Sequence, residues 1–473
     1  MKKLTKQSRI GFVELPATQY GILNGPLDYD IYSEFGMPPR AISTLRRILV
    51  EDGWTNTSET TLIKDILELD ALLMSTITRT YPQSAEQARE YKAKNPKNPA
   101  IAGGTHVTFM PEEALRNGFD IVVRGEGEKT LKELMIRLRE DPNDLSDIKG
   151  ITYKQNGQII ENPDRELLTE QELSETHPFY DKEVIKKIRT ATIEGGRGCP
   201  FDCDFCSVTT IYGHQYRRKS REWILEELRR IKNYGINTMW TNDNIGMGPL
   251  DTEIFEAIAD SGLNRPKSVA QITVNAAYND RLLMALKRAG IEVLCVGFES
   301  ISDETLKAWN KPSTAKRNKE AAKKFRDAGF FVHGMMMIGG DGDTKESLEK
   351  TSEWANESLD SAQFSAPITL PGTRFYKKME DERRILTKDW FLYTGHNVTS
   401  RPLNFSPLEH QLIIEKAYRN FYSVRNIPKR LKGSSQRVIA LEVSALTLYK
   451  RMLNKLFNNP QYQQHLKFLK SVS

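Results

Sequence analysis

Residues 195–206 read Gly-Gly-Arg-Gly-Cys-Pro-Phe-Asp-Cys-Asp-Phe-Cys and hold three of the chain's four cysteines, Cys199, Cys203 and Cys206. Buried structural cysteines scatter through a sequence. These stand among glycines, a proline and two aspartates, which is loop chemistry. Thiolates are soft ligands suited to zinc and to iron–sulfur clusters. A structural zinc site is closed and normally takes four protein ligands. Here there is a single hook of three, and the nearest imidazole, His214, offers a fourth. On a 4Fe-4S cube the same three thiolates leave an iron open to a small molecule. Both readings stand at this point.

The totals bound the setting. A chain of 473 residues is too long for one core, and 39% hydrophobic with 27% charged residues describes a globular protein of two or three domains. No run approaches the roughly 18 apolar residues of a membrane span. The N-terminus, Met-Lys-Lys-Leu-Thr-Lys-Gln, has no apolar core of the secretory kind. Three cysteines in one loop do not make a disulfide framework, so a reducing cytoplasm is expected. The net charge of +6 is uneven: residues 425–473 carry ten Lys/Arg against one acidic residue, Glu442, which leaves the body slightly acidic. No repeat, low-complexity tract or nucleic-acid-binding pattern is present.

Downstream of the hook, strand and helix patterns alternate. Apolar strands are expected near Ala191, Thr238–Thr241, Val269–Val274, Val293–Phe298, Val332–Ile338 and Ala362–Pro367, with amphipathic helices such as Arg221–Tyr234 and Asp280–Ala289 between them. Six such units predict an incomplete β/α barrel. In these barrels chemistry lies on the C-terminal face, where the cysteine loop falls. Asn242-Asp243-Asn244, Gln271, Glu299-Ser300, Gly339-Gly340 and Pro371-Gly372 read as further strand ends on that face.

Upstream, strands at Ile10–Leu15, Leu72–Ile77, Ala100–Ala102 and Asp120–Arg124 alternate with helices at Arg40–Asp52, Ser84–Lys94 and Lys129–Arg139, a doubly wound, Rossmann-like α/β pattern. Ligands of such sheets sit at the carboxyl ends of the strands, where Ser75, Gly103, Gly104, Thr105 and Gly125 fall. Ile148–Ile160 reads as a hairpin turning at Asn156-Gly157, followed by a polar linker to Tyr180. The expected domains are 8–145, a hairpin and linker at 146–184, a core at 185–385 and a C-terminal helical region at 386–473.

The CxxxCxxC spacing with Phe205 before its third cysteine resembles the radical S-adenosylmethionine (SAM) superfamily. Thr241-Asn-Asp-Asn-Ile, Gly297-Phe-Glu-Ser, Gly339-Gly-Asp-Gly-Asp-Thr and Leu370-Pro-Gly-Thr-Arg-Phe-Tyr resemble its later strand motifs. The resemblance implies that Cys199, Cys203 and Cys206 ligate a 4Fe-4S cluster whose open iron takes SAM, cleaved to a 5′-deoxyadenosyl radical. It also implies that Phe205, Asp243, Asn244, Gln271, Glu299 and Ser300 bind SAM. Asn242 stands where the family usually has its first Asp, which leaves Asp243 as the carboxylate.

Residues 10–145 resemble the cobalamin-binding domain of cobalamin-dependent members, through Ser75-Thr-Ile, Gly103-Gly104 and Arg124-Gly-Glu-Gly-Glu. This implies a cobalamin site at Ser75, Thr76, Gly103, Gly104, Thr105 and Gly125. The D-x-H-x-x-G motif that supplies a cobalt-ligating histidine is absent, and His106 reads as a strand-end polar residue. Cys295 reads as a core thiol, Met335–Met337 as barrel packing, and the run Arg217-Arg218-Lys219 as either an anion site or a solvated loop.

The implied activity is cobalamin-dependent methylation of an unactivated carbon in a natural-product or lipid substrate, with a flavodoxin or ferredoxin as external electron donor and no nucleic-acid partner. The alternatives are cyclisation, rearrangement or dehydration without methyl transfer, and a non-catalytic zinc or iron–sulfur scaffold closed by His214. In the tail, Ile439, Val443, Leu446, Tyr449, Leu453 and Phe457 form a helical stripe flanked by Lys450, Arg451 and Lys455. It suits packing on the body or a peripheral contact with an anionic membrane.

Overall fold

The computed structural model describes residues 1–15, 40–179, 190–232, 237–265, 267–426, 453 and 456–473. The chain divides into two units. The first comprises Met1–Ile188 with Thr210–Gly213 and Leu370–Gly372, and the second the remainder.

Short apolar runs bounded by turn residues give the first unit its sheet. Strands β1 (Ile10–Glu14), β2 (Thr57–Glu59), β3 (Ala71–Ser75), β4 (Ala100–Gly103) and β5 (Ile121–Val123) are parallel, and β6 (Ile151–Gln155) with β7 (Gln158–Glu161) adds an antiparallel edge. The order is β2-β1-β3-β4-β5-β6-β7. The inner strands are apolar throughout because helices cover both faces. One face packs Phe12, Leu73, Ile101 and Ile121 against Ile42 and Leu49 of the helix Arg40–Glu51 and Leu131, Leu134 and Leu138 of the helix Gly127–Glu140.

The structure corrects the sequence reading in three places here. The hairpin expected in the linker closes this sheet instead, because Ile151 and Tyr153 enter the same core. Its turn residues, Asn156 and Gly157, both have positive φ, as a tight two-residue hairpin turn requires. The strand β2 was invisible because Thr-Ser-Glu carries no apolar signal and pairs only at the edge. His106 lies in a short helix, Thr105–Phe109, and not at a strand end.

In the second unit, β8 (Thr190–Ile193), β11 (Asn237–Ile245), β12 (Ser268–Ile272), β13 (Ile291–Glu299), β14 (Phe331–Met337) and β15 (Ser361–Ser365) pair in parallel and in sequence order, with a helix after each. The sheet stays open between β8 and β15, the incomplete barrel expected. A two-stranded ribbon, β9 (Gly196–Arg197) with β10 (Arg217–Arg218), follows β8. Along β13 the period of two is plain: Leu294, Val296 and Phe298 are fully buried, while Val293, Cys295 and Gly297 are half-buried on the opposite face.

The capped helix Pro407–Phe421 covers β15, where Phe364 meets Tyr418 at 5.4 Å and Phe421 at 5.8 Å between ring centroids. A last helix, Pro460–Ser471, docks on it through Tyr462, whose hydroxyl donates to Glu415 at 2.9 Å. The stripe at 435–457 lies outside the described residues except for Leu453, Leu456 and Phe457, which are buried. No helix among the described residues is long and apolar enough to cross a membrane.

Candidate active site

The cysteine loop leaves the end of β8 and is held at three points within the second unit. At its base, the Gly195 amide donates to Asn242 Oδ1 at 2.7 Å and the Gly198 amide to Asp243 Oδ2 at 2.8 Å. At its middle, Arg374 bonds Asp202 at 2.6 Å and Asp204 at 2.7 Å, while Asn310 Nδ2 donates to the Asp202 carbonyl at 2.7 Å. At its end, Phe205 meets Trp309 edge-on at 5.5 Å, and Trp309 meets Phe375 at 5.0 Å. These rings form a small apolar cluster with Met337 and Met379. The two aspartates of the hook are therefore latches, and its aromatic residue is an anchor.

The three thiols are half-buried. Burial pushes all of them up, Cys203 to about 12, and the nearby ammonium of Lys311 pulls each the other way. Lys311 donates to Glu299 Oε1 at 3.1 Å, and although burial opposes its charge the neighbouring Glu299 carboxylate holds it above the usual lysine range. Gly297 is what makes room for this pair: a Cβ there would stand 2.7 Å from Glu299 Oε1 and 3.4 Å from Lys311 Nζ. Glu299 has φ +61, and Asn318 clamps the corner by donating to the Phe298 and Ser300 carbonyls, each at 2.8 Å. A left-handed backbone at a non-glycine residue, held by a fully buried amide, is the strain that collects at functional sites.

Of the expected SAM residues, Asp243, Asn244 and Glu299 stand with the thiols. Asp243 is raised to about 7, chiefly by burial, with the Gly198 amide opposing. Asn244 Nδ2 lies 3.1 Å from Cys199 Sγ. The segment 242–244 lies in the C-terminal end of β11, past its pairing with β8 and beside a break in the β11–β12 register. Gln271 occupies the half-buried face of β12, opposite Cys295. Ser300 is buried and accepts the Ser302 amide at 3.0 Å, so it shapes the corner.

Lys311 was missed because nothing in Asn310-Lys-Pro marks it. Only the return of the chain to Glu299 brings it to the site. The basic run after the hook is neither a solvated loop nor a free anion site. Arg218 pairs with Asp251 at 3.1 Å, Lys219 pairs with Glu194 at 3.1 Å and stacks on Trp223, and Arg217 is buried. His214 is exposed, 3.8 Å from Asp202. Among the described residues, no three His, Cys, Asp or Glu side chains converge to hold a single metal ion. Separate corners of a cluster require no such convergence.

In the first unit, Ser75, Thr76, Gly103, Gly104, Thr105 and Gly125 do gather at the carboxyl ends of β3, β4 and β5. The Thr76 amide donates to the Gly103 carbonyl at 2.8 Å, and the Gly125 amide donates to Thr108 Oγ1 at 3.1 Å. Gly104 has φ +105, and a Cβ there would stand 2.4 Å from the Thr76 carbonyl oxygen. Thr76 is fully buried, whereas the next residue, Ile77, is 45% exposed. An open rim of backbone with an exposed apolar side chain suits a broad, partly apolar ligand. His106 is buried, packs on Tyr81 at 4.2 Å and is pushed down to about 3 by burial, so it is a neutral core residue.

Residues 193–355 match the family model of the radical SAM superfamily, and residues 33–135 match that of the B12 binding domain. An uncharacterised methyltransferase of Pyrococcus horikoshii is 32% identical over 334 residues, covering 68% of this chain and 72% of its own. The chain belongs to the cobalamin-binding radical SAM proteins. A hopanoid C-3 methylase of Methylococcus capsulatus is 26% identical over 82% of this chain and 76% of its own. The fold is shared with OxsB, a cobalamin-dependent SAM radical enzyme solved with aqua-cobalamin and SAM. The TM-score is 0.70 at 16% identity, over 98% of this chain and 75% of that one.

As a cobalamin-binding radical SAM protein, the chain is an enzyme of the radical SAM methyltransferase kind, and its cofactors are a 4Fe-4S cluster, SAM and cobalamin. The residues present fit them. Three half-buried thiols beside the ammonium of Lys311 are a donor set for an anionic cluster, and at the strand ends of the first unit Gly125 faces open space and Ile77 is exposed.

Proposed function

We propose that this enzyme methylates an unactivated carbon of a small-molecule or lipid substrate, with Cys199, Cys203 and Cys206 holding the cluster. The observation that carries the site assignment is the pair of opposite charges beside those thiols. The methionine end of SAM bears an ammonium and a carboxylate, and Lys311 supplies the cation while Glu299 supplies the anion, with Asp243 a second carboxyl group beside them. Asn244, Gln271, Phe205 and Ser300 complete the surround. Ser75, Thr76, Gly103, Gly104, Thr105 and Gly125 form the cobalamin rim, where Gly104 lets the backbone pack directly on Thr76.

When bound, the cofactors supply a 5′-deoxyadenosyl radical and a methyl group. The protein's own work is to hold the cysteine loop rigid through Arg374 and Trp309, to keep Lys311 charged, and to offer an uncrowded strand-end rim. An external flavodoxin or ferredoxin supplies the electron. The methylase relative that acts on a hopanoid supports a lipid substrate, and the basic residues of 425–473 suit contact with an anionic surface.

Protein purified without oxygen from cells given hydroxocobalamin is expected to carry stoichiometric cobalamin. With SAM labelled in its methyl group, it is expected to pass the label to its substrate. Protein that binds no cobalamin yet releases 5′-deoxyadenosine would overturn methyl transfer and leave cyclisation or rearrangement.

A further inference from the structure

Asn244 is 1% exposed and sits on β11 beside Trp240 and Asn242, the buried face of that strand. Its Nδ2 donates to Cys199 Sγ at 3.1 Å. Its Oδ1 is buried with no hydrogen-bond partner. Burying a primary amide with one end unsatisfied costs stability, about 1–3 kcal/mol in general. Folding alone therefore gives no reason to keep it. The orientation of the amide is fixed by charge, since an amide oxygen against a thiolate is repelled and an N–H is attracted. The influence on the hook is also uneven. Lys311 acts on all three thiols through its charge and the backbone at Phe201 and Val208 bonds Cys199 and Cys206, whereas Asn244 brings a side-chain amide to Cys199.

We infer that Asn244 is a positioning residue that tunes the reduction potential of the cluster through Cys199. An N–H donated to a thiolate ligand draws electron density from its sulfur. The reduced cluster carries the greater negative charge, so it gains more from that bond than the oxidised cluster does, and the potential rises. The residue thereby makes the cluster easier for a one-electron donor to reduce, adding a side-chain donor at the Cys199 corner to the backbone donors that Phe201 and Val208 give Cys199 and Cys206. The inference rests on the proposal above that Cys199 is a ligand.

The test is a redox titration of the anaerobically reconstituted full chain, followed by EPR. Iron content and a reduced-cluster signal in the wild type come first, and their absence would overturn the ligand assignment itself. Given that signal, Asn244→Leu is expected to keep its iron and to titrate at a lower potential. At the wild-type midpoint its reduced-to-oxidised ratio should fall roughly tenfold, equivalent to about 59 mV for one electron. Asn244→His, which restores an N–H donor, is expected to recover part of the shift. Should the leucine variant lose iron, Asn244→Ser, too short to reach the sulfur, is read the same way. Wild-type protein carrying side-chain-amide 15N-asparagine is further expected to show a 15N coupling in pulsed EPR of the reduced cluster. An unchanged midpoint in the variants, or no such coupling in the wild type, overturns the inference.

Discussion

At the scale of single residues, the site depends on the Lys311–Glu299 pair. Their side chains are 19% and 11% exposed, so each charge is largely desolvated and needs the other. Lys311→Met leaves the Glu299 carboxylate unpaired beside three thiols. Removing one partner of a buried pair costs about 3 kcal/mol or more. The variant is expected to unfold at lower urea and to bind SAM poorly, whereas Lys311→Met with Glu299→Gln should regain most of the stability but not the SAM affinity. Equal urea midpoints for the single variant and the wild type would show that the pair carries no such load. The cysteines were legible in the sequence because their spacing is local. Lys311 was not, because its role exists only once the helix Asp303–Ala308 returns the chain to the end of β13. Arg374 lies in the Leu370–Tyr376 segment, but nothing in the sequence shows that it latches two aspartates of the hook. Exposed ion pairs contribute little, generally under about 1 kcal/mol, so Arg374→Ala is expected to leave stability nearly intact and to lower iron retention after dilution. Full retention of iron would reduce this latch to surface decoration.

At the scale of elements, two glycines of the first unit give opposite expectations. Gly125 has φ +68 with nothing near its missing Cβ, so Gly125→Ala carries only backbone strain, about 1–2 kcal/mol. Gly104→Ala adds a clash with the Thr76 backbone, 2.4 Å away, which cannot yield as a flexible side chain could. Calorimetry should show the second variant far less stable, with cobalamin binding lost. Similar melting temperatures for the two would contradict the close approach.

The C-terminal helices make a pH prediction. His410 and His465 are buried and held down to about 4, in each case chiefly by burial. They are neutral when folded and free to protonate near their ordinary value of about 6.5 when unfolded. Their contribution is therefore complete above about 6.5 and lost as pH falls toward 4. His410→Gln should lose less stability than the wild type over that window, and parallel curves would show that His410 does not titrate on unfolding. Periodicity made most strands and helices readable. It failed at β2, too polar and short, and it found the hairpin but not the sheet that the hairpin joins, since pairing with β5 is set only when the sheet forms.

At the scale of the molecule, two α/β units each present strand ends of the kind that bind cofactors, one with glycines and an apolar rim, the other with thiols and paired charges. The order of units and the barrel strands could be read from alternating patterns. Which charged residues face one another across strands could not, since that depends on register. In the sequence, the resemblance of the CxxxCxxC spacing to the radical SAM superfamily is what favoured a cluster over zinc. The structure adds the ammonium of Lys311 beside all three thiols. The central claim is that Cys199, Cys203 and Cys206 hold a cluster that reductively cleaves SAM. Chain reconstituted without oxygen and given SAM with a one-electron reductant should release 5′-deoxyadenosine, while Cys203→Ala under the same conditions should release none. No product from the iron-loaded wild type, or an equal yield from Cys203→Ala, would contradict it.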